Sequence, residues 1–417
     1  MKAVSQKATT IFQRMMILTP YQQNDPLDQA VLTIDLTALI ANYHWLDKQA
    51  GKAETGCVVK ANAYGLGVGE IAEALLEAGC QTFFVAQAQE GKTLREVTKT
   101  ATIYILNGLP IGSAAWFAKH ALRPCLNAPA ELAEWAAFCE AKKQAYPAAL
   151  HIDTGFNRLG FSEAELAELA ALAEIDSHFT PSLIMSHLAC ADMSDHPMNA
   201  TQLARFQNAL KHFPNSKACL ANSAGILLGD AYHFDMVRAG IGLYGSMPYS
   251  DEKQGRQKQK AQQGQQEQKG QQEQQGQQAR AQLQPVITLQ APILQIRTVK
   301  AGETVGYGAS FTAEKNMRIA ILAIGYSDGY MRQISETRPP FAQAAYNGTQ
   351  LPIIGRISMD LLAVDISALP EAQAQRGTLL ELIGAQIPLD ETAQRAGTIS
   401  YEILTRLGTR ARRVYKS

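Results

Sequence analysis

Lys60 closes the apolar run Val58-Val59-Lys60 and is followed by Ala61-Asn62-Ala63-Tyr64-Gly65. An amine at the end of a short apolar strand, positioned and partly shielded from water, can form an imine with an aldehyde. Tyr64 lies close enough in sequence to touch a phosphate carried by the same small molecule. Other apolar runs also finish in polar groups. His187 ends the run 183–187, and Ser223 follows the run 217–221 at an expected helix start. A hydroxyl and free backbone N–H groups at a helix N-terminus suit a phosphate. Arg238 sits in 236–244, flanked by Val237 and Ile241, beside Gly240 and Gly242. An arginine in such a setting needs partners, because an unpaired interior charge costs several kcal/mol. Glycines there let the backbone approach an anion closely. Taken singly, each residue has an ordinary alternative. Lys60 reads as a solvated strand end, His187 as a satisfied interior histidine, and Ser223 as a plain helix cap.

These groups can act together only if the fold brings them to one place. Strands are expected at 31–36, 56–60, 82–86, 101–106, 148–153, 183–187, 217–221 and 236–244. Helices are expected between them at 37–50, 69–78, 129–143, 163–173 and 202–213. Regular β-then-α alternation over roughly 200 residues is the pattern of a parallel sheet, and the length suits an α/β fold of the (β/α)8 TIM-barrel type. In such a barrel the C-terminal strand ends converge on one mouth, so residues distant in sequence meet there.

Between residues 251 and 282 there is no large apolar side chain, so this stretch cannot offset its ordering entropy by burial. Beyond it the texture changes to short β-rich runs at 286–299, 318–324, 350–354, 361–366 and 379–383, with Gly and Pro between them. The expected organisation is an N-terminal extension at 1–27, a barrel at 28–248, a Gln-rich low-complexity insertion at 249–284 and a mainly-β C-terminal domain at 285–417. The first strand, 31–36, is expected to pair with the β domain, and Met15 or Met16 is an alternative start.

Further motifs join the first. They are Asp153-Thr154-Gly155-Phe156-Asn157-Arg158-Leu159-Gly160-Phe161, Gly302-Glu303-Thr304-Val305-Gly306-Tyr307-Gly308-Ala309 and Gly355-Arg356-Ile357-Ser358-Met359-Asp360. With the Lys60 and Arg238 runs, they resemble the pyridoxal-phosphate-dependent alanine racemases of the barrel-plus-β-domain type. The resemblance covers about residues 28–250 and 284–417. It implies that Lys60 carries pyridoxal 5'-phosphate as an imine, and that Tyr64, Ser223, Gly240 and Ile241 hold its phosphate. His187 would pack beside the ring, and Arg238 would face the pyridine nitrogen. Guanidinium stays protonated and can only donate, so the pyridine would remain an unprotonated, weaker electron sink. That favours quick reprotonation over transamination.

By the same resemblance Tyr307 is the base opposite Lys60 and comes from the partner subunit, which implies a homodimer with shared active sites. Arg158 contacts the cofactor phenolate and the substrate carboxylate, and the Met359 N–H receives that carboxylate. Tyr326 and Tyr401 line the approach, and Tyr401 also reaches the phosphate. Outside the resemblance, Arg158 reads as a loop arginine, Tyr307 as a turn aromatic and Met359 as core. The family commonly has a carbamylated lysine seven residues before this arginine, where the present chain has His151. Histidine cannot form that carbamate, so something else must orient Arg158.

The implied activity is interconversion of L- and D-alanine by a two-base mechanism, for peptidoglycan supply or alanine catabolism. Alternatives are a racemase of broader specificity, a basic-amino-acid decarboxylase and a non-catalytic carrier of the cofactor. Decarboxylases of that layout favour an acidic partner at the pyridine nitrogen, which Arg238 is not, and carriers resemble the barrel alone.

Composition agrees with a small-molecule enzyme. Lys+Arg 38 against Asp+Glu 38 produces no field that would draw the chain to nucleic acid or an anionic membrane. No run of eighteen apolar residues marks a membrane span. Cysteines 57, 80, 125, 139, 190 and 219 are dispersed without Cys-x-x-Cys pairs. That pattern argues against a metal site or disulfide framework and for reduced thiols in a cytoplasmic protein.

Overall fold

A computed structural model describes residues 30–171, 181–246, 282–335 and 340–417. The expected extension at 1–27 and most of the Gln-rich insertion lie outside the described residues. Eight parallel strands close into a barrel. They are β2 (Glu54–Val58), β3 (Thr82–Val85), β4 (Thr102–Ile105), β5 (Arg123–Leu126), β6 (Ala149–His151), β7 (Leu183–Met185), β8 (Lys217–Asn222) and β9 (Met236–Ala239). Closure is made by the parallel pairing of β2 with β9, in the register Glu54↔Met236 to Cys57↔Ala239.

The barrel strands are covered on both faces, so they read as continuous apolar runs; all of Thr82–Val85 is buried. Fully burying a side chain such as Phe83 or Phe84 contributes about 1.5–3 kcal/mol.

Strand β5 is absent from the expected elements because Arg-Pro-Cys-Leu contains a proline, which removes a ladder donor and argues against a strand. Pairing to β4 (Ile105↔Pro124) and β6 (Cys125↔Ala149) overrides that local signal. The helix Ala88–Val97 was equally hard to read, because only Gly91 and Leu94 of its ten residues are buried. Several expected strands run past the observed ones at the barrel mouth. β2 ends at Val58 rather than residue 60, β7 at Met185 rather than 187, and β9 at Ala239 rather than 244. Lys60 and His187 therefore sit just beyond the ladder, where backbone geometry is free to turn them inward.

The second sheet has eight strands. It contains β1 (Val31–Asp35), β10 (Ile287–Val299), β13 (Met317–Leu322), β14 (Gln343–Tyr346), β15 (Thr349–Ile354), β16 (Leu362–Asp365), β17 (Leu379–Ile383) and β18 (Arg412–Lys416). A separate hairpin is formed by β11 (Thr304–Val305) and β12 (Phe311–Thr312). β1 lies antiparallel to β10 and parallel to β18, so the two ends of the described chain meet in one sheet. Asp35 then caps the helix Leu36–Ala50, its Oδ1 accepting from the Ala38 N–H at 2.9 Å. The helices Leu389–Arg395 and Ser400–Arg406 are additions to the expected strand pattern, and a continuous buried cluster runs from barrel to β domain.

Candidate active site

The turn after β2 has an unusual backbone. Ala61, Asn62, Ala63 and Tyr64 all lie at φ between 53° and 56°, the left-handed region. For L-residues this costs roughly 1–2 kcal/mol each, so surrounding contacts must hold it. Ala63 N–H donates to the Val59 carbonyl (2.9 Å) and Gly65 N–H to the Ala61 carbonyl (2.8 Å). Asn62 Oδ1 accepts from the Val68 N–H at 2.9 Å. On the far side, Arg413 Nη2 donates to the Gly65 carbonyl (2.7 Å) and Tyr415 Oη to the Leu66 carbonyl (2.8 Å). The C-terminal strand thus grips the segment that follows Lys60.

Lys60 itself is half-buried. Burial first, then the Arg158 charge, pulls its ammonium below the usual lysine range; Glu90 opposes this and Arg238 adds to it. A larger share of neutral amine makes a better nucleophile toward an aldehyde.

Beside it is a cradle for an anion. Ser223 Oγ accepts from the Gly240 N–H at 2.7 Å and the Gly242 N–H at 3.3 Å. A Cβ added at Gly240 would stand 2.9 Å from Tyr64 Oη and 3.8 Å from Ser223 Oγ, so glycine keeps this space open. Ile241 continues the same buried backbone. Tyr64 packs on Tyr244 with ring centroids 4.6 Å apart and on Tyr401 at 5.9 Å. Burial, then Tyr401, raises the Tyr64 phenol. Burial, then Asp192 and Asp390, pushes Tyr401 up to about 12. Both therefore keep their protons and can donate. Ser223 opens a helix of only four residues whose cap is the Asn222 side chain, so its hydroxyl is left to serve the cradle. The donor set and the space suit the phosphate of pyridoxal phosphate.

Arg238 is 3 % exposed. Its Nη1 donates to the Cys219 carbonyl (3.1 Å), and its Nη2 to the Ser186 carbonyl (2.7 Å) and to His187 Nδ1 (3.2 Å). Among the described residues no carboxylate pairs with it, so carbonyl dipoles carry the burden of its burial. Because guanidinium only donates, His187 Nδ1 must be the unprotonated nitrogen. Burial, then Arg238 and Arg158, lowers the His187 pKa well below the ordinary histidine value. The neutral ring presents Nε2–H.

Arg158 is held by a loop pinned at its base. Phe161 N–H donates to the His151 carbonyl (2.8 Å) and Asp153 N–H to the Phe161 carbonyl (2.9 Å). Asp153 Oδ1 accepts from the N–H groups of Gly155 and Phe156, both at 2.8 Å. The Arg158 guanidinium stacks 4.1 Å from the Phe156 ring centroid, and Phe156 meets His187 edge-on at 5.4 Å. His151 is buried, with Nδ1 2.7 Å from Asn127 Oδ1. Asn127 Nδ2 donates to the Cys125 carbonyl at 2.8 Å, which turns its oxygen toward His151 and makes His151 Nδ1 the protonated nitrogen. Burial, then Arg238, lowers the His151 pKa to about 4. A stacked ring and an Asp-anchored loop thus orient Arg158 in a chain without the family's lysine.

Tyr307, Tyr326 and Met359 gather elsewhere. Tyr326 N–H donates to the Ser358 carbonyl (3.1 Å) and Ser327 N–H to the Met359 carbonyl (3.0 Å), joining two loops of the β domain. The Arg356 guanidinium stands 3.1 Å from a Cβ built on Gly308, next to Tyr307. Arg410 ties Asp360 (2.8 Å) and Asp328 (3.3 Å) beneath them. Tyr307 is 69 % and Met359 54 % exposed. Among the described residues, none of their hydrogen bonds reaches the barrel mouth of the same chain.

Glu90, Asn127, Phe156 and Tyr244 join the expected residues at this site. Phe156 lay inside a recognised motif, and the Gln87…Glu90 spacing is that of a capping box. Asn127 and Tyr244 carry no local signal.

Comparisons with known proteins agree with this layout. Residues 34–248 match the model of the alanine racemase N-terminal domain, and residues 286–415 that of the alanine racemase C-terminal domain. A barrel with a lysine at its mouth, followed by such a β domain, defines the class. The chain belongs to the alanine racemase family. It is 43% identical over 386 residues to an alanine racemase of Methylobacterium nodulans, covering 93% of this chain and 96% of that one. A catabolic alanine racemase of Agrobacterium fabrum is 43% identical over 385 residues, covering 92% of this chain and 91% of the relative. The crystal structure of alanine racemase from Bartonella henselae with covalently bound pyridoxal phosphate superposes with a TM-score of 0.82 at 37% identity, covering 93% of this chain and 99% of that one.

Proposed function

We propose that this chain, a pyridoxal-phosphate-dependent alanine racemase that interconverts L- and D-alanine, works as a homodimer whose active sites are shared between subunits. The supporting observation is the convergence, at one barrel mouth, of a partly desolvated Lys60, the Ser223–Gly240–Gly242 cradle and a donor-only Arg238. When bound, the cofactor supplies an aldehyde carbon for the amine and an electron-withdrawing ring that acidifies the substrate's α-hydrogen.

The chain's own residues do the rest. Tyr64, Ser223, Tyr401 and the backbone of Gly240 and Ile241 would hold the phosphate through neutral donors. Arg238 would donate to the ring nitrogen and leave it unprotonated, because guanidinium does not release its proton near neutrality. His187 would pack on one side of the ring. Arg158 offers a fork of donors to the substrate carboxylate, joined by the Met359 N–H of the partner subunit. Lys60 Nζ moves the α-proton on one face and the partner subunit's Tyr307 Oη on the other. The partner subunit's Tyr326, together with Tyr401, would narrow the approach, so a methyl side chain fits better than a long one. The free cysteines fit a cytoplasmic, reducing compartment.

The test is direct. Purified protein should absorb at about 420 nm and produce D-alanine from L-alanine. Lys60→Ala should abolish both signals. Turnover retained in that variant would refute the reading, and equal turnover of several larger amino acids would replace it with the broader racemase.

A further inference from the structure

We propose that Glu90 is a positioning residue for the Lys60 amine, its single carboxylate tying the left-handed turn to the end of the neighbouring barrel strand. The inference deepens the reading above and rests on it.

Glu90 has two separate tasks, one for each oxygen. Oε2 accepts from the N–H groups of Ala86 (2.8 Å) and Gln87 (3.0 Å), which caps the helix Ala88–Val97. That alone would be an ordinary helix cap. Oε1 reaches across to the N–H of Ala61 at 2.6 Å, the residue next to Lys60. The sheet explains why this contact is needed. β2 and β3 pair up to Val58↔Phe84, and the Val59 N–H still donates to the Phe84 carbonyl at 3.0 Å. Past Val59 the chain leaves the ladder and from Ala61 it runs in the left-handed region, where no strand carbonyl receives the Ala61 N–H. The Glu90 carboxylate takes that place and links both strand ends through one rigid group. Charge adds to geometry. Arg158 on the loop after β6 and Arg238 on β9 press on the Lys60 ammonium, and the Glu90 carboxylate opposes them. His187 also feels the Lys60 charge.

Substitutions separate the roles. Glu90→Gln has one acceptor oxygen and an amide that donates, so it can serve the cap or the turn but not both, and it carries no charge. Glu90→Asp keeps the charge but loses one methylene of reach. The full-length protein, freed of cofactor, would be labelled with pyridoxal phosphate across pH, trapped by borohydride and mapped by peptide mass; hydrogen exchange would be followed in parallel. In Glu90→Gln, half-maximal labelling of Lys60 should move to lower pH, because the neutral amine is no longer opposed by a nearby anion. Exchange at residues 61–66 should quicken by about tenfold. Glu90→Asp should keep the labelling midpoint yet show the faster exchange at 61–66. Wild-type midpoint and wild-type exchange in folded Glu90→Gln would overturn the proposal. So would faster exchange confined to the helix 88–97, which would make Glu90 a cap and nothing more. If Glu90→Gln does not fold, wild-type exchange at 61–66 in Glu90→Asp is the overturning result. Failure of the unaltered protein to label at Lys60 would instead remove the functional reading itself.

Discussion

The barrel mouth and the loop face of the β domain differ in how finished they are. At the mouth, Arg238 is buried among carbonyls, Ser223 is engaged by two N–H groups, and Glu90, Arg413 and Tyr415 clamp the Lys60 turn. On the β domain, Tyr307, Tyr326 and Met359 stand exposed on a well-braced base that Arg410 and Asp360 hold together. Exposed aromatic and thioether side chains on an ordered scaffold are the composition of a surface that works against another surface. One region is braced within the chain itself, whereas the other would, in the proposed dimer, serve a site it does not itself contain.

That contrast can be broken most decisively with Tyr307. Tyr307→Phe should cut racemisation on the order of a thousandfold while leaving cofactor absorbance in place. Mixed and re-associated with Lys60→Ala, it should recover about a quarter of wild-type activity, since half the dimers are mixed and each holds one intact site. No recovery on mixing would place both groups in the same subunit.

A smaller effect is expected inside the finished region. Gly240→Ala should weaken binding of pyridoxal phosphate by the freed protein roughly tenfold to hundredfold, the equivalent of about 1–3 kcal/mol of overpacking against Tyr64 Oη. Titration of ring fluorescence measures it, and unchanged affinity would put the phosphate elsewhere.

The smallest effect concerns pH. His151 binds its proton more weakly when folded, at about 4, than at its ordinary value of 6.5. The unfolded chain therefore holds more protons between those values, and stability is lost as pH falls through that window. His151→Asn should flatten this acid limb by up to a few kcal/mol in denaturant titrations, although His187 shifts in the same direction and keeps part of it. An acid limb as steep as that of the unaltered protein would show that the His151–Asn127 pair contributes nothing there.

Much of the site was legible because its motifs are local. The stretch from Lys60 to Gly65 and the nine residues around Arg158 could be recognised as runs that resemble those of the alanine racemases, although their residue types alone leave ordinary alternatives open. Glu90 and Asn127 were not legible as site residues, because what they touch is distant in sequence. Glu90 meets Ala61 across 29 positions, and Asn127 meets His151 across 24. The barrel pattern could be read from alternation, yet β5 could not, since a proline strand is stabilised only by neighbours on both sides.

Residue order alone determined the chemistry available to this protein: an amine, a phenol, donor-only guanidinium groups and glycines where an anion must approach. It also determined the two textures, barrel and β domain, through the period of their apolar residues. Tertiary structure decided how these groups are presented. The left-handed turn after Lys60 is strained when considered alone, and persists because a carboxylate from the helix that follows β3 and a strand from the far end of the chain hold it in place. The neutral state of His187 is likewise a consequence of burial and of Arg238 beside it, a proximity that appears only once β7 and β9 stand in the same barrel.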